Sequence, residues 1–280
     1  MKSILPIVLV CSALAVLGLL VLQISYRFFT GRVVAMWSSD PGRASERDRF
    51  SRALVQGLPE PAVRFFTHAV PEGSPLYSRG VFTIRGAVRV TPKAQWSALN
   101  AREVLNPGRG FVWTARVGRF PLVLNGADCY FRGRGMVRFS LFGLLPVIRQ
   151  SGADVSRSSL GRLALESFLW VPTVFVGRDD IAWVQTGEDS FALRWVQEGE
   201  DIRLRVHVDG GGAVESLWLD RYGNQTDDGR FDYIPFGVRV HEEGFLGGMR
   251  IPVRLSAGWW FGTERYFESV RIEVRNAEFR

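Results

Sequence analysis

The chain has very little cysteine, lysine or histidine, and each shortage removes a class of function. Only Cys11 and Cys129 are present, the first inside an apolar N-terminal run, so no disulfide framework holds the chain together. Without a Cys-His partner motif, Cys129 reads as a small buried apolar residue. The three histidines, His68, His207 and His241, stand in no metal-ligand spacing. The sequence also lacks a Gly-x-Ser-x-Gly elbow, a phosphate loop ending in Gly-Lys-Ser/Thr and a His-Glu-x-x-His helix. Neither a metal nor a cofactor is therefore expected. Lysine is limited to Lys2 and Lys93, and the other basic residues are arginine. Those arginines are dispersed singly, as at Arg85, Arg89, Arg203 and Arg205. The net charge of +7 therefore does not describe a nucleic-acid surface. At most it favours anionic lipid headgroups.

Charge is also missing from Ile4 to Ile24. This run of 21 residues is long enough, at about 1.5 Å per residue, to cross a hydrocarbon core of roughly 30 Å. It is too long for the apolar core of a cleaved signal, and Gln23-Ile24-Ser25-Tyr26-Arg27 offers no small-x-small cleavage site. Val10 before Cys11 argues against lipidation. The reading is an uncleaved transmembrane anchor over residues 1–27, followed by a connector and helix over 28–57 and one β-rich domain over 58–280. Lys2 lies on one side of the span, and Arg27, Arg32 and Arg43 on the other. Long domains translocate largely regardless of charge. The expectation is a single-pass inner (plasma) membrane protein with an extracytoplasmic domain.

Alternation of apolar and polar residues dominates the rest. Ile202, Leu204, Val206 and Val208 alternate with Arg203, Arg205 and His207; Ile251, Val253 and Leu255 alternate with Arg250 and Arg254. Period two with one polar side marks antiparallel sheet with one wet face. Two short helices are expected first: one capped by Ser45 with Asp48 and carrying Phe50, Ala53 and Leu54 inward, the other opening at Pro59-Glu60-Pro61. A third, rich in leucine, runs from Ser156 to Trp170 and ends at Pro172. About ten strands at roughly 4.8 Å make a sheet nearly 50 Å wide, while a helix covers about 10–12 Å. A sheet that wide curls. The fold expected is mainly β, a curled antiparallel half-barrel wrapped on a central helix, with an aromatic-lined concave groove.

The central stretch Ser159-Leu160-Gly161-Arg162-Leu163-Ala164-Leu165-Glu166-Ser167-Phe168-Leu169-Trp170-Val171-Pro172 resembles a helix of a bacterial family known only as a domain of unknown function. Leu58 to Phe66, Gly110-Phe111-Val112-Trp113, Gly248 to Pro252, Trp259-Trp260 and Tyr266-Phe267 are similar to other parts of that family. The resemblance spans about residues 58–275 and brings no reaction with it. The layout is also similar, in architecture alone, to the half-barrel carriers of lipoproteins and lipids.

Candidate residues follow from this layout. Phe111, Trp113, Trp170, Trp183 and Trp195 are expected to line the groove. Glu166 lies on a mainly apolar helix one turn after Arg162, and a buried glutamate needs a partner such as Arg162 or Arg250. Asp128 between Ala127 and Cys129 poses the same question. Two apolar loops, Leu141 to Ile148 and the Trp259, Trp260, Phe261 segment, read either as lids or as membrane contacts. The functional expectation is a non-enzymatic, membrane-anchored protein that binds a lipid or other apolar ligand. A hydrolase-like enzyme using Glu166 and Asp128, or a solidly packed envelope scaffold, are the alternatives.

Overall fold

A computed structural model describes residues 4–38 and 49–280; within the first helix it describes the side chains of Ile4, residues 6–21, Gln23 and Ile24. Helix α1 spans Ile4–Ser38. Among the described residues no helix is long and apolar enough to cross a membrane. The transmembrane part of the expected architecture is thus not shown. Lys2, Arg43, Ser45 and Asp48 lie outside the described residues, as do the side chains of Arg27 and Arg32.

The helix expected before Gly57 is only a 3₁₀ turn, Arg52–Val55. Phe50 and Val55 are buried, whereas Ala53 and Leu54 are exposed. The reason lies just upstream: Arg49 pairs with Pro75 as a β-bridge, and Phe50 exchanges backbone bonds with Ser74 and Gly73. Those bonds hold the chain extended and leave too few residues before Gly57 for an α-helix. Helix α2, Glu60–Ala69, starts as the sequence indicates, with Pro61 in its first turn and Phe65 and Phe66 buried.

Thirteen strands rather than ten form one open antiparallel sheet. They are β1 (Gly80–Val88), β2 (Ser97–Asn106), β3 (Gly110–Arg119), β4 (Leu122–Phe131), β5 (Arg134–Leu141), β6 (Leu145–Ser151), β7 (Ala182–Gly187), β8 (Ser190–Gln197), β9 (Glu200–Val208), β10 (Val214–Gly223), β11 (Asp232–Leu246), β12 (Met249–Trp259) and β13 (Phe267–Phe279). The order is β6-β5-β4-β3-β2-β1-β13-β12-β11-β10-β9-β8-β7. Two meanders are therefore joined where β1 pairs with β13, in a register that brings Val88 opposite Val270.

Helix α3, Ala153–Trp170, connects the two edge strands and lies in the concavity. It packs against β5 in one meander and β10 in the other, eight strands apart in the sheet, which only a strongly curled sheet permits. From Ser159 to Trp170 it is buried nearly all round, the pattern of a helix enclosed by its own domain. At its start the Ser156 hydroxyl donates to the Gly152 carbonyl and accepts from the Gly135 N–H. Pro172 opens a 3₁₀ turn that stops it. Phe168 stacks on Phe65 at 4.7 Å and meets Phe175 and Phe191, so α2 and α3 share one aromatic core with β8.

Candidate ligand cavity and its buried charge cluster

Strand register builds the polar part of the concave face. Glu103 on β2 stands opposite Trp113 on β3, and Trp113 stands opposite Asp128 on β4, so the three form one cross-strand row. Glu103 follows Leu99 and Ala101 at period two and precedes Leu105, and it is 0% exposed. Helix α3 lays Arg162 over this row. Its guanidinium sits 4.5 Å from the Phe111 ring centroid and 5.0 Å from that of Trp113. Arg162 Nε donates to Glu166 Oε1 at 2.8 Å, Nη1 to Asp128 Oδ2 at 2.7 Å, and Nη2 to Glu103 Oε1 at 3.3 Å.

Three carboxyl groups around one guanidinium cannot all ionise cheaply in a dry site. Burial, and next the charge of Glu166, push the Glu103 carboxyl well above the usual carboxylate range against the pull of Arg162. Glu103 thus holds a proton more tightly than an ordinary carboxylate, and its Oε2, like that of Glu166, is buried without a hydrogen-bond partner. Burial works against the Arg162 charge too, but Glu166, Glu103 and Asp128 outweigh it and raise the guanidinium.

A second arginine completes the cluster. Arg221 on β10 follows Leu217 and Leu219 on the inward face and crosses beneath α3 at Gly161, where an added Cβ would stand 3.0 Å from Arg221 Cγ. Its Nε donates to the Ser158 carbonyl at 3.0 Å, and its guanidinium lies 4.8 Å from the Phe236 ring and 5.0 Å from the Trp259 ring. Burial, then the like charge of Arg162, bring it down to about 10.

Beside this cluster lies a cavity of about 240 Å³. Asp128, Arg162, Glu166 and Arg221 form one wall. Val88, Val238, Leu255, Ala257, Val270 and Ile272 form much of the remainder, with Trp113, Trp170, Phe236 and Trp259. The hollow is apolar along most of its surface and charged at one side. A second hollow of about 760 Å³, on the face of α3 that carries Ala164 and Ser167, is lined by Phe175, Trp195 and several polar residues including Arg109 and Arg178.

The residues singled out from sequence divide between these places. Trp113 and Trp170 line the first cavity; Phe111 is fully buried beneath Arg162; Trp195 lines the second hollow; Trp183 packs on Phe66 and Phe191. Glu166, Asp128 and Arg162 meet in one cluster, whereas Arg250 is exposed on β12. Trp259 is buried in the first cavity, Trp260 donates to the Gln225 carbonyl, and Phe261 stacks on Trp218. The turns at 120–121, 142–144 and 260–266 fall at the same end of the sheet, since alternate turns of a meander do. Phe120 (85% exposed), Leu122 and Phe142 project there. Sequence reasoning missed Glu103 and Arg221, although alternation along β2 and β10 placed both on the inward face. Cys129 sits on the opposite face with Val104 and Val112, and burial pushes its thiol up to about 12. Among the described residues no group of side chains is arranged to hold a metal.

Comparison with known proteins gives a family and a set of remote likenesses. No curated protein matches the chain. A LolA superfamily protein from Nitrosomonas europaea is similar in structure with 12% identity and a TM-score of 0.43, over 78% of this chain and 90% of that one. A DUF1329 family protein from Desulfovibrio piger ATCC 29098 has 11% identity and a TM-score of 0.43, over 72% and 86%. A putative outer membrane lipoprotein-sorting protein domain from Vibrio parahaemolyticus has 10% identity and a TM-score of 0.40, over 82% and 92%. Sequence goes further than structure here: a family model matches residues 48–269, nearly the whole β domain and α3, and the chain belongs to the family of unknown function DUF6544.

Proposed function

We propose that this protein binds a lipid or another apolar molecule in the cavity beside α3, without chemical change to it. The observation that carries the reading is the cavity itself, mostly apolar and lying in a concavity that α3 does not fill. At about 240 Å³ it is somewhat smaller than the roughly 300–1,000 Å³ of typical small-molecule sites, so it suits one chain rather than several. Burying that chain is worth about 25 cal/mol per Å², enough for micromolar affinity after ordering costs.

The proposal includes a membrane setting: an inner-membrane anchor at Ile4–Ile24 with the β domain outside the cytoplasm. The uncharged run supports it. So does the placement of Gln23, whose Nε2 stands 3.8 Å from where a Cβ on Gly143 would be, at the sheet end that carries Phe120, Leu122 and Phe142.

Titration of a fluorescent fatty-acid probe tests the binding. Wild type should bind saturably, and Ala257→Phe, which fills the cavity wall, should weaken binding at least about tenfold with little change in melting temperature. If the interior is solid, the probe finds no site and the variant instead loses about 1–3 kcal/mol to overpacking, which ends the carrier reading. A hydrolase-like reading draws on Asp128 and Glu166 at the cavity wall. Both are tied to Arg162, and neither histidine nor cysteine lines the cavity. Turnover of a long-chain acyl ester that is lost in Glu166→Gln would establish that reading in its place.

A further inference from the structure

Arg221 stands apart among the charged groups of the cavity. Arg162 has three carboxyl partners, yet Arg221 makes no ion pair among the described residues, and its one hydrogen bond is from Nε to a backbone carbonyl. Arg221 lines the cavity, and neither terminal nitrogen makes a hydrogen bond among the described residues. A half-buried guanidinium without an ion-pair partner is costly, and the faces of Phe236 and Trp259 offset only part of that cost. Asp128 and Glu166 share the wall; each gives one oxygen to Arg162, while Asp128 Oδ1 and Glu166 Oε2 are buried without a partner. The site also has the form an amphiphile needs, with a donor fork at one end and an aliphatic wall of Val238, Leu255, Ala257, Val270 and Ile272 beyond it. A guanidinium fork matches a carboxylate or a phosphate in two parallel bonds.

We propose that the ligand is an anionic amphiphile, and that Arg221 binds its carboxylate or phosphate head while the chain occupies the apolar part of the cavity. This rests on the apolar-ligand reading above, and its test separates the two. The full chain in zwitterionic nanodiscs, with empty discs as blank, is titrated with decanoate, decyl phosphate, decanol, decylammonium and inorganic phosphate. Decanoate or decyl phosphate should bind about 10- to 100-fold more tightly than decanol, the worth of hydrogen bonds to a charged group. Arg221→Gln should erase that difference by weakening decanoate and decyl phosphate to about the level of decanol. Its melting temperature should stay level or rise, since a half-buried cation without an ion-pair partner is removed. Equal binding of decanoate and decanol to wild type would overturn the proposal while leaving the apolar-ligand reading intact. Tightest binding of decylammonium would overturn it in favour of Asp128 and Glu166 as the head site. Inorganic phosphate binding as tightly as decyl phosphate would overturn the lipid source of the anion. If no ten-carbon probe binds, the apolar-ligand reading falls, and this inference with it.

Discussion

At the residue scale, the shared guanidinium changes what single substitutions should do. Read from sequence, Glu166 is one half of a buried pair, and its removal should cost about 3–5 kcal/mol. The structure distributes that cost. Arg162 still has Asp128 at 2.7 Å when Glu166 is lost, so Glu166→Gln should cost only about 1 kcal/mol, the net worth of one hydrogen bond. Arg162→Met strands Asp128 and Glu166 together and should cost about 3–5 kcal/mol. Urea denaturation of both variants checks this, and equal losses would contradict a shared cation. Glu103 gives a pH signature. Its folded pKa lies above the unfolded value, so its stabilising effect is full below the ordinary 4.5 and is lost as pH rises toward the folded value. Glu103→Gln does not titrate. Its stability relative to wild type should therefore improve with rising pH above 4.5, at up to about 1.4 kcal/mol per pH unit. A difference that stays constant from pH 4.5 to 9 would rule out a raised Glu103 carboxyl.

At the element scale, the helix and the strands were legible to different degrees. The leucine-rich stretch ending at Pro172 indicated α3 because propensity, apolar content and a stop signal agree locally. Alternation marked strands such as Glu200–Val208, where Ile202, Leu204, Val206 and Val208 are all buried. The 3₁₀ turn at Arg52–Val55 was not legible, since backbone bonds to residues 73 and 74 decide it. Strand spacing at β3 and β4 rests on a backbone position that admits no side chain. Gly110 has φ +143°, and a Cβ there would meet the Tyr130 carbonyl oxygen at 1.9 Å. Gly110→Ala should lower stability by more than about 1 kcal/mol. Gly152→Ala, at a positive φ but in open space, should cost less, and thermal melts of the two compare steric clash with backbone strain alone.

At the scale of the whole molecule, the proposed anchor makes a direct prediction. The chain should remain with membranes after high-salt and carbonate washing, and its recovery in the soluble fraction would remove Ile4–Ile24 as a span. The concave interior poses the larger question of what can be read without coordinates. Local sequence determined the β class, the central helix, the lack of a disulfide framework and the inward side of many strands, because burial periodicity and propensity act over a few residues. It also placed Arg162 one turn from Glu166, a distance set by helix geometry alone. Only the tertiary structure decided that Asp128 and Glu103 join them, because that depends on the register of β2, β3 and β4 and on where α3 crosses them. It alone decided that Arg221, 59 positions beyond Arg162 in the chain, faces the same cavity from the other meander. Such juxtapositions come from how a thirteen-stranded sheet curls around one helix, and that curvature is a property of all the strands packed together rather than of any one of them.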